Sequence, residues 1–75
     1  MDISDIMIHI DQALSEEDKR ALEEKMRAIP GVIAPRFNAG RDHLLLVAFD
    51  PERVKTAAML DSVRADGYQA QLIGA

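Results

Sequence analysis

The hydrophobic pattern of this 75-residue chain switches between the two-residue period of a strand and the spacing of a helix. This order of periods constrains the possible folds more than any other feature of the sequence. The first segment is residues 6–11, IMIHID, in which Ile6, Ile8 and Ile10 fall on one side. Strict alternation of this kind is typical of a strand with one buried face.

The next segment, within ALSEEDKRAL, predicts a helix that begins at Ser15. A serine hydroxyl at this position can accept a free backbone N–H of the first turn. Acidic residues follow it and basic residues lie in the last turn, so both ends suit the helix dipole. Leu22, Met26 and Ile29 repeat at helical spacing and mark the side that faces the core. Pro30-Gly31 is expected to end the helix.

Two more strands are predicted in the middle of the chain. Residues 32–37, VIAPRF, form the first, and Pro35 places it at a sheet edge because proline has no N–H to donate to a neighbour. A turn at Gly40 separates it from residues 43–49, HLLLVAF. That segment is apolar at nearly every position, which is typical of a central strand with both faces covered.

A second helix is expected at residues 56–65, after Pro51 breaks the third strand. Asp50 and Thr56 are both candidates for its N-cap. The inward side of this helix is expected to carry Met59, Leu60 and Val63. Residues 68–73, YQAQLI, alternate again and predict a last strand.

The order is therefore strand, helix, strand, strand, helix, strand, which is the split β-α-β arrangement of a ferredoxin-like α+β fold. We expect residues 1–75 to form one domain, a βαββαβ sandwich with a four-stranded antiparallel sheet and two helices on one face. The sequence has no cysteine, so disulfides and thiolate clusters are excluded and the fold must rest on its apolar core.

Charge and hydropathy narrow the classes of partner. The net charge is −4 and no basic stripe is visible, so neither nucleic acid nor an anionic membrane is an expected partner. No apolar run approaches the roughly 18 residues of a membrane span. The first residues carry acids where a signal peptide would carry Lys or Arg, so a cytoplasmic location is expected.

Three stretches, in order and in register, resemble the heavy-metal-associated domain family, whose fold is that of small copper chaperones. AIPGV at residues 28–32 is similar to the end of that family's first helix. VAFDP at 47–51 resembles its third strand and following turn, and DGYQAQLI at 66–73 resembles its final strand. The resemblance covers nearly the whole chain and implies the same ferredoxin-like fold.

The resemblance also locates the family's metal loop, Met-x-Cys-x-x-Cys, which holds Cu(I) or another soft metal. Its methionine position falls on Ala13, its cysteine positions fall on Ser15 and Asp18, and the tyrosine beside the loop corresponds to Tyr68. A hydroxyl and a carboxylate are hard donors that cannot replace two thiolates. We therefore expect no metal or other cofactor here. The segment is interpreted as a solvated helix start, with an acidic docking patch or a hard-cation site as alternatives.

His9 and His43 are the other candidate metal ligands. In the family's sheet the end of the first strand lies near the start of the third, which brings the two residues into one region. Strand alternation turns His9 outward, whereas His43 shares the inward parity of Leu45, so the side chains are predicted to lie on opposite faces. His9 remains the alternative ligand, although two ligands alone make a weak site.

The family alignment turns Leu45, Val47 and Phe49 toward the helices, so the residues between them face the open side of the sheet. The predicted interface on that side comprises Met7, His9, Leu44, Leu46 and Ala48. A contiguous exposed apolar patch commonly marks an interface, and we expect a second copy or another protein to cover it. The alternative is the reversed parity, or a long side chain that covers the patch.

Together these features predict a non-catalytic interaction or regulatory module that lacks the soft-metal site of its relatives. The alternative is a metal-binding protein with histidine or carboxylate ligands. An enzyme is not expected, because no nucleophile, base and orienting group converge in the predicted fold.

Overall fold

Four strands form one antiparallel sheet and two helices pack on it in the structure, a computed structural model that describes residues 2–73. The elements are β1 (Ser4–Ile10), α1 (Glu16–Arg27), β2 (Val32–Phe37), β3 (Leu44–Phe49), α2 (Thr56–Ala65) and β4 (Ala70–Leu72). The predicted ferredoxin-like βαββαβ fold is confirmed. Within residues 2–73, neither helix has the length and apolar character needed to span a bilayer.

The strand order across the sheet is β2-β3-β1-β4, and every neighbouring pair is antiparallel. β3 is therefore central, and β2 lies at an edge as Pro35 predicted. β4 is shorter than the predicted residues 68–73, although backbone hydrogen bonds continue on both sides of it, from the Asp11 N–H to the Gln69 carbonyl and from the Ile73 N–H to the Met7 carbonyl.

The core lies between the sheet and the two helices. β1 and β3 contribute alternate residues to it, so the inward orientation of Leu45, Val47 and Phe49 is confirmed and the reversed parity is excluded. The other buried apolar side chains at its centre are Ile6, Ile8 and Ile10 from β1, Leu22 and Met26 from α1, and Met59 and Val63 from α2. Leu60, also predicted to point inward, is partly buried against them.

The two ends of α1 follow from local chemistry. Ser15 is its N-cap, and the Asp18 N–H donates to Ser15 Oγ at 3.1 Å, as predicted. After the helix, Gly31 has a φ of +98°, a backbone conformation that residues other than glycine rarely adopt. A Cβ at this position would lie 2.9 Å from the side chains of Arg53 and Val54, so the close approach of the β3–α2 connection also requires glycine.

The start of α2 differs from both predictions. Lys55 is the N-cap and makes no side-chain capping hydrogen bond, so neither Asp50 nor Thr56 caps this helix. Asp50 instead accepts the Glu52 N–H at 3.0 Å through Oδ1. Aspartate side chains commonly accept the backbone N–H of the residue two positions later and so stabilise a turn. The Asp50 carboxylate is occupied in this way and does not reach the first turn of α2.

Candidate functional site

Three connections meet at one end of the fold. Since β3 and β4 both run antiparallel to β1, the β1–α1, β2–β3 and α2–β4 segments emerge at the same edge. Hydrogen bonds join them, because the Ile10 N–H donates to the His43 carbonyl and the Asp11 N–H donates to the Gln69 carbonyl, both at 2.8 Å. We call this region the loop end. It contains the positions that correspond to the metal loop and both histidines.

The metal-loop positions hold no soft ligand. Ser15 Oγ is engaged in capping α1, and Asp18 lies in the exposed first helical turn. Ala13 offers no donor atom. Within residues 2–73, no group of three or more His, Asp or Glu side chains is arranged to hold a metal ion.

Lys19 lies beside these positions and was not among the residues predicted for this site. Its side chain is buried, and its ammonium Nζ donates to Glu16 at 3.0 Å and to Asp42 at 2.5 Å. The same Nζ lies 5.9 Å from the centre of the Phe37 ring, within range of a cation–π contact. The spacing of Lys19, three residues before Leu22, could have placed it on the inward side of α1.

These contacts favour the charged forms of Lys19 and Asp42. The hydrogen bond with Asp42, and then that with Glu16, raises the pKa of Lys19, while the Lys19 hydrogen bond lowers the pKa of Asp42. The pair is therefore fully charged near neutral pH. The Lys19 ammonium is already paired with the carboxylates of Glu16 and Asp42. This pairing argues against a hard-cation site built on Glu16.

A buried carboxylate, that of Glu23, ties α1 to the edge strand. The backbone N–H of Phe37 donates to Glu23 Oε2 at 2.9 Å, and Arg20 Nε lies 3.3 Å from the other oxygen, Oε1. Phe37 ends β2, so this contact fixes where the edge strand leaves the sheet.

Tyr68 lies in the α2–β4 segment of the loop end and packs partly buried against the core. Its pKa is raised first by burial and then by the negative charges of Asp18 and Asp66.

The histidine rings contact each other, so the prediction that they lie on opposite faces is wrong. The ring centres of His9 and His43 are 5.8 Å apart, and the ring planes differ by 11°. His43 lies in the turn before β3 and not in the strand, so strand alternation does not decide where its side chain points.

Hydrogen bonds orient both rings. His43 Nδ1 lies 2.8 Å from the Ile10 carbonyl oxygen, which can only accept, so Nδ1 carries the proton. His9 Nδ1 lies 3.3 Å from Gln71 Oε1 and 3.3 Å from Asp11 Oδ1, and both are acceptors. In the neutral imidazoles, Nε2 is therefore the nitrogen that keeps a free lone pair.

The outer face of the sheet carries all five predicted interface residues. The register pairs Met7 with Leu46 and His9 with Leu44, so the side chains form adjacent rows. Met7 is 37% exposed, and the leucines and Ala48 are partly buried. A groove of about 290 Å³ opens on this side; its lining is Met7, Asn38, Ala39, Arg41, Leu44 and Leu46.

Comparisons with solved structures agree on the fold. No protein-family model matches the sequence, and no curated protein matches it. Among solved structures, the N-terminal domain of a potential copper-translocating P-type ATPase from Bacillus subtilis, in the Cu(I)-loaded state, has a TM-score of 0.85 at 18% identity. That match covers 97% of this chain and 90% of the other.

Two further structures are similar over nearly their full length. Oxidized MerP from Ralstonia metallidurans CH34 has a TM-score of 0.84 at 10% identity, covering 97% of this chain and 100% of its own. The CopZ metallochaperone has a TM-score of 0.81 at 22% identity, covering 91% of this chain and 100% of its own. The resemblance is thus confirmed for the fold: the chain has the architecture of these copper-binding and metallochaperone domains.

Proposed function

We propose that this protein is a non-catalytic interaction module that binds through the outer face of its sheet. The observation that carries the proposal is the apolar row formed by Met7 and Leu46 at the centre of that face. Ala48 and Leu44 extend it along β3. Covering these side chains would stabilise a complex by a few kcal/mol before the costs of association, at about 25 cal/mol per Å².

The loop end supports a function other than soft-metal transport. The thiolates that hold Cu(I) cannot form in a chain without cysteine, and Lys19 provides the positive charge at this end. Ser15 uses its hydroxyl to cap α1, which is a structural role. The related structures are copper-binding and metallochaperone domains, and their chemistry gives no reason to propose catalysis here.

We infer that the occupant of the face is a second copy of the chain, because the face is self-complementary in charge. Asp5 on β1 lies beside Ala48 in the register, and Arg36 on β2 lies beside Leu46. The two exposed charges therefore flank β3 on opposite sides, and within residues 2–73 neither takes part in a salt bridge.

A two-fold axis along β3 makes use of this arrangement. It places β1 of one copy over β2 of the other, so Asp5 faces the strand that carries the second copy's Arg36, and the reverse pair forms by symmetry. Strands about 4.8 Å apart give a face of roughly 400 Å² per copy in projection. That area is small for an interface, so we expect a weak dimer that forms at high concentration.

Sedimentation velocity over a wide concentration range tests the dimer. The wild-type chain is expected to shift reversibly from monomer to dimer, and Asp5→Arg or Arg36→Asp alone is expected to weaken the shift. An equimolar mixture of the two variants is expected to restore both charge pairs in a heterodimer. The double variant, which carries both changes in one chain, is expected to restore them in its homodimer. Asp61→Arg, an exposed charge reversal on α2, is the matched control and leaves association unchanged.

A chain that stays monomeric at every concentration, or a mixture that does not recover association, overturns the second copy as occupant. The broader proposal is then tested with a photocrosslinker at Ala48 and a matched one at Ala21, which is exposed on α1. A crosslinked partner specific to Ala48, displaced by excess wild-type chain but not by Leu46→Lys, supports another protein as occupant. Absence of both results refutes the interaction module.

A further inference from the structure

We infer that His9 and His43 form a binding site for a borderline divalent cation of the Zn(II), Ni(II) or Cu(II) class. This site shares His9 with the outer face of the sheet, but it uses neither the Met7–Leu46 row nor the metal-loop positions. It uses two imidazole nitrogens, which suit these ions.

The hydrogen bonds of the two rings carry the inference. A histidine that binds a metal almost always donates its other ring N–H to a carboxylate or a backbone carbonyl, which fixes the tautomer and the orientation. His43 has this arrangement with the Ile10 carbonyl, and His9 Nδ1 has it with the side-chain oxygen of Gln71; the Asp11 carboxylate lies 3.3 Å from the same nitrogen. Both rings are thus held with Nε2 as the available ligand atom, although His9 lies in β1 and His43 lies in the β2–β3 connection.

The separation of the rings is compatible with one shared ion. Metal–nitrogen bonds of about 2.0–2.1 Å limit the ring centres of two imidazoles on one ion to a separation of roughly 6.5 Å. The observed separation is 5.8 Å. The terminal torsion χ2 of histidine is broad, so the rings can adjust slightly toward one ion while each Nδ1 keeps its hydrogen bond.

The surroundings favour a cation that reaches the rings from solvent. The His9 side chain is 39% exposed, and the Asp11 carboxylate lies against its ring. Asp42 precedes His43 and is already paired with Lys19, whereas the ion pair given for Asp11 is with the His9 ring itself. Two protein ligands leave coordination positions for water, and we therefore expect modest affinity rather than the tight binding of a four-ligand site.

The test is a titration of the full chain with Zn(II) followed by NMR of the imidazole C–H signals, with calorimetry for affinity. Because the sequence has only two histidines, both rings are resolved directly. Both sets of signals are expected to shift together with one dissociation constant. His9→Gln and His43→Gln, which keep a side-chain N–H donor, are each expected to weaken binding at least 10-fold without changing the melting temperature of the metal-free chain.

Two more variants separate the site from other sources of binding. Asp11→Asn is expected to weaken binding about 10-fold or more, since it removes the carboxylate behind His9. Asp18→Asn removes a metal-loop carboxylate and is expected to have no effect. Binding should also weaken on acidification, because a protonated imidazole has no lone pair to donate.

Three results would overturn the site. In the first, only one histidine responds to Zn(II), which means that the rings do not share an ion. In the second, the affinity is the same in both histidine variants, which assigns the ion to other groups. In the third, neither Zn(II), Ni(II) nor Cu(II) binds at millimolar concentration. None of these results affects the proposed dimer, which is measured in metal-free buffer.

Discussion

Glu23 offers the sharpest test of how α1 holds the edge strand of the sheet. Its residue exposure is 7%, and its Oε2 accepts the backbone N–H of Phe37, which is itself 8% exposed. In Glu23→Ala this N–H loses its partner in a place that water barely reaches. A buried donor left unsatisfied costs about 1–3 kcal/mol, and bonds to charged acceptors lie at the upper end.

The paired variant Glu23→Gln keeps an oxygen at the same position. It is expected to lose less than half as much stability, because the amide still accepts the N–H and only the contact with Arg20 weakens. That contact involves a side chain that is 57% exposed, so it contributes little. For a domain of this size, a loss of about 2 kcal/mol lowers the melting temperature by roughly 8–16 °C.

The assay is urea unfolding followed by circular dichroism, with amide hydrogen exchange at Phe37 as a local readout. We expect a lower urea midpoint and faster exchange at Phe37 in Glu23→Ala, and slow exchange in Glu23→Gln. If both variants lose the same free energy of unfolding, the hydrogen bond does not account for the effect. If neither loses more than about 0.5 kcal/mol, the contact behaves like an ordinary surface site.

Two other perturbations test separate parts of the fold. Gly31→Ala is expected to cost at least about 1–2 kcal/mol in thermal or urea unfolding, since the left-handed conformation disfavours a Cβ and Val54 leaves no room for one; an unchanged melting temperature would contradict this. The lowered pKa of Asp42 predicts a contribution to stability that is present above the usual carboxyl pKa of about 3.9 and is lost as the pH falls through the lower folded value. Unfolding midpoints measured against pH should therefore show a weaker acid-side decline in Asp42→Asn, and identical pH profiles would refute the role of the Lys19 pair.

The architecture was accessible from the sequence because its signals are local. Alternating isoleucines in β1, the serine cap of α1 and the break at Pro30-Gly31 each depend on neighbours within a few residues. The bounds of α2 at residues 56–65 were also predicted. Its cap was not, since Asp50 and Thr56 offer similar chemistry and only the path of the chain decides that neither is used.

The candidate sites depend on contacts between distant segments. Lys19 reads as one more charge in an exposed run, yet the β2–β3 turn brings Asp42 to it across 23 positions. From the sequence, His43 was predicted to be the first residue of a strand. It lies one residue before β3, so the alternation that turns Leu45 inward does not apply to it.

The sequence by itself therefore determined the order of elements, the inward sides of β1, α1 and α2, and the absence of thiolate chemistry. Periodicity and composition are enough for these conclusions, because they follow from backbone geometry and from the donor atoms that side chains carry. Only the tertiary structure decided that His9 meets His43 and that an ammonium lies buried at the loop end. These contacts depend on the direction in which the β2–β3 turn places the side chains of Asp42 and His43, and no local sequence pattern predicts that direction.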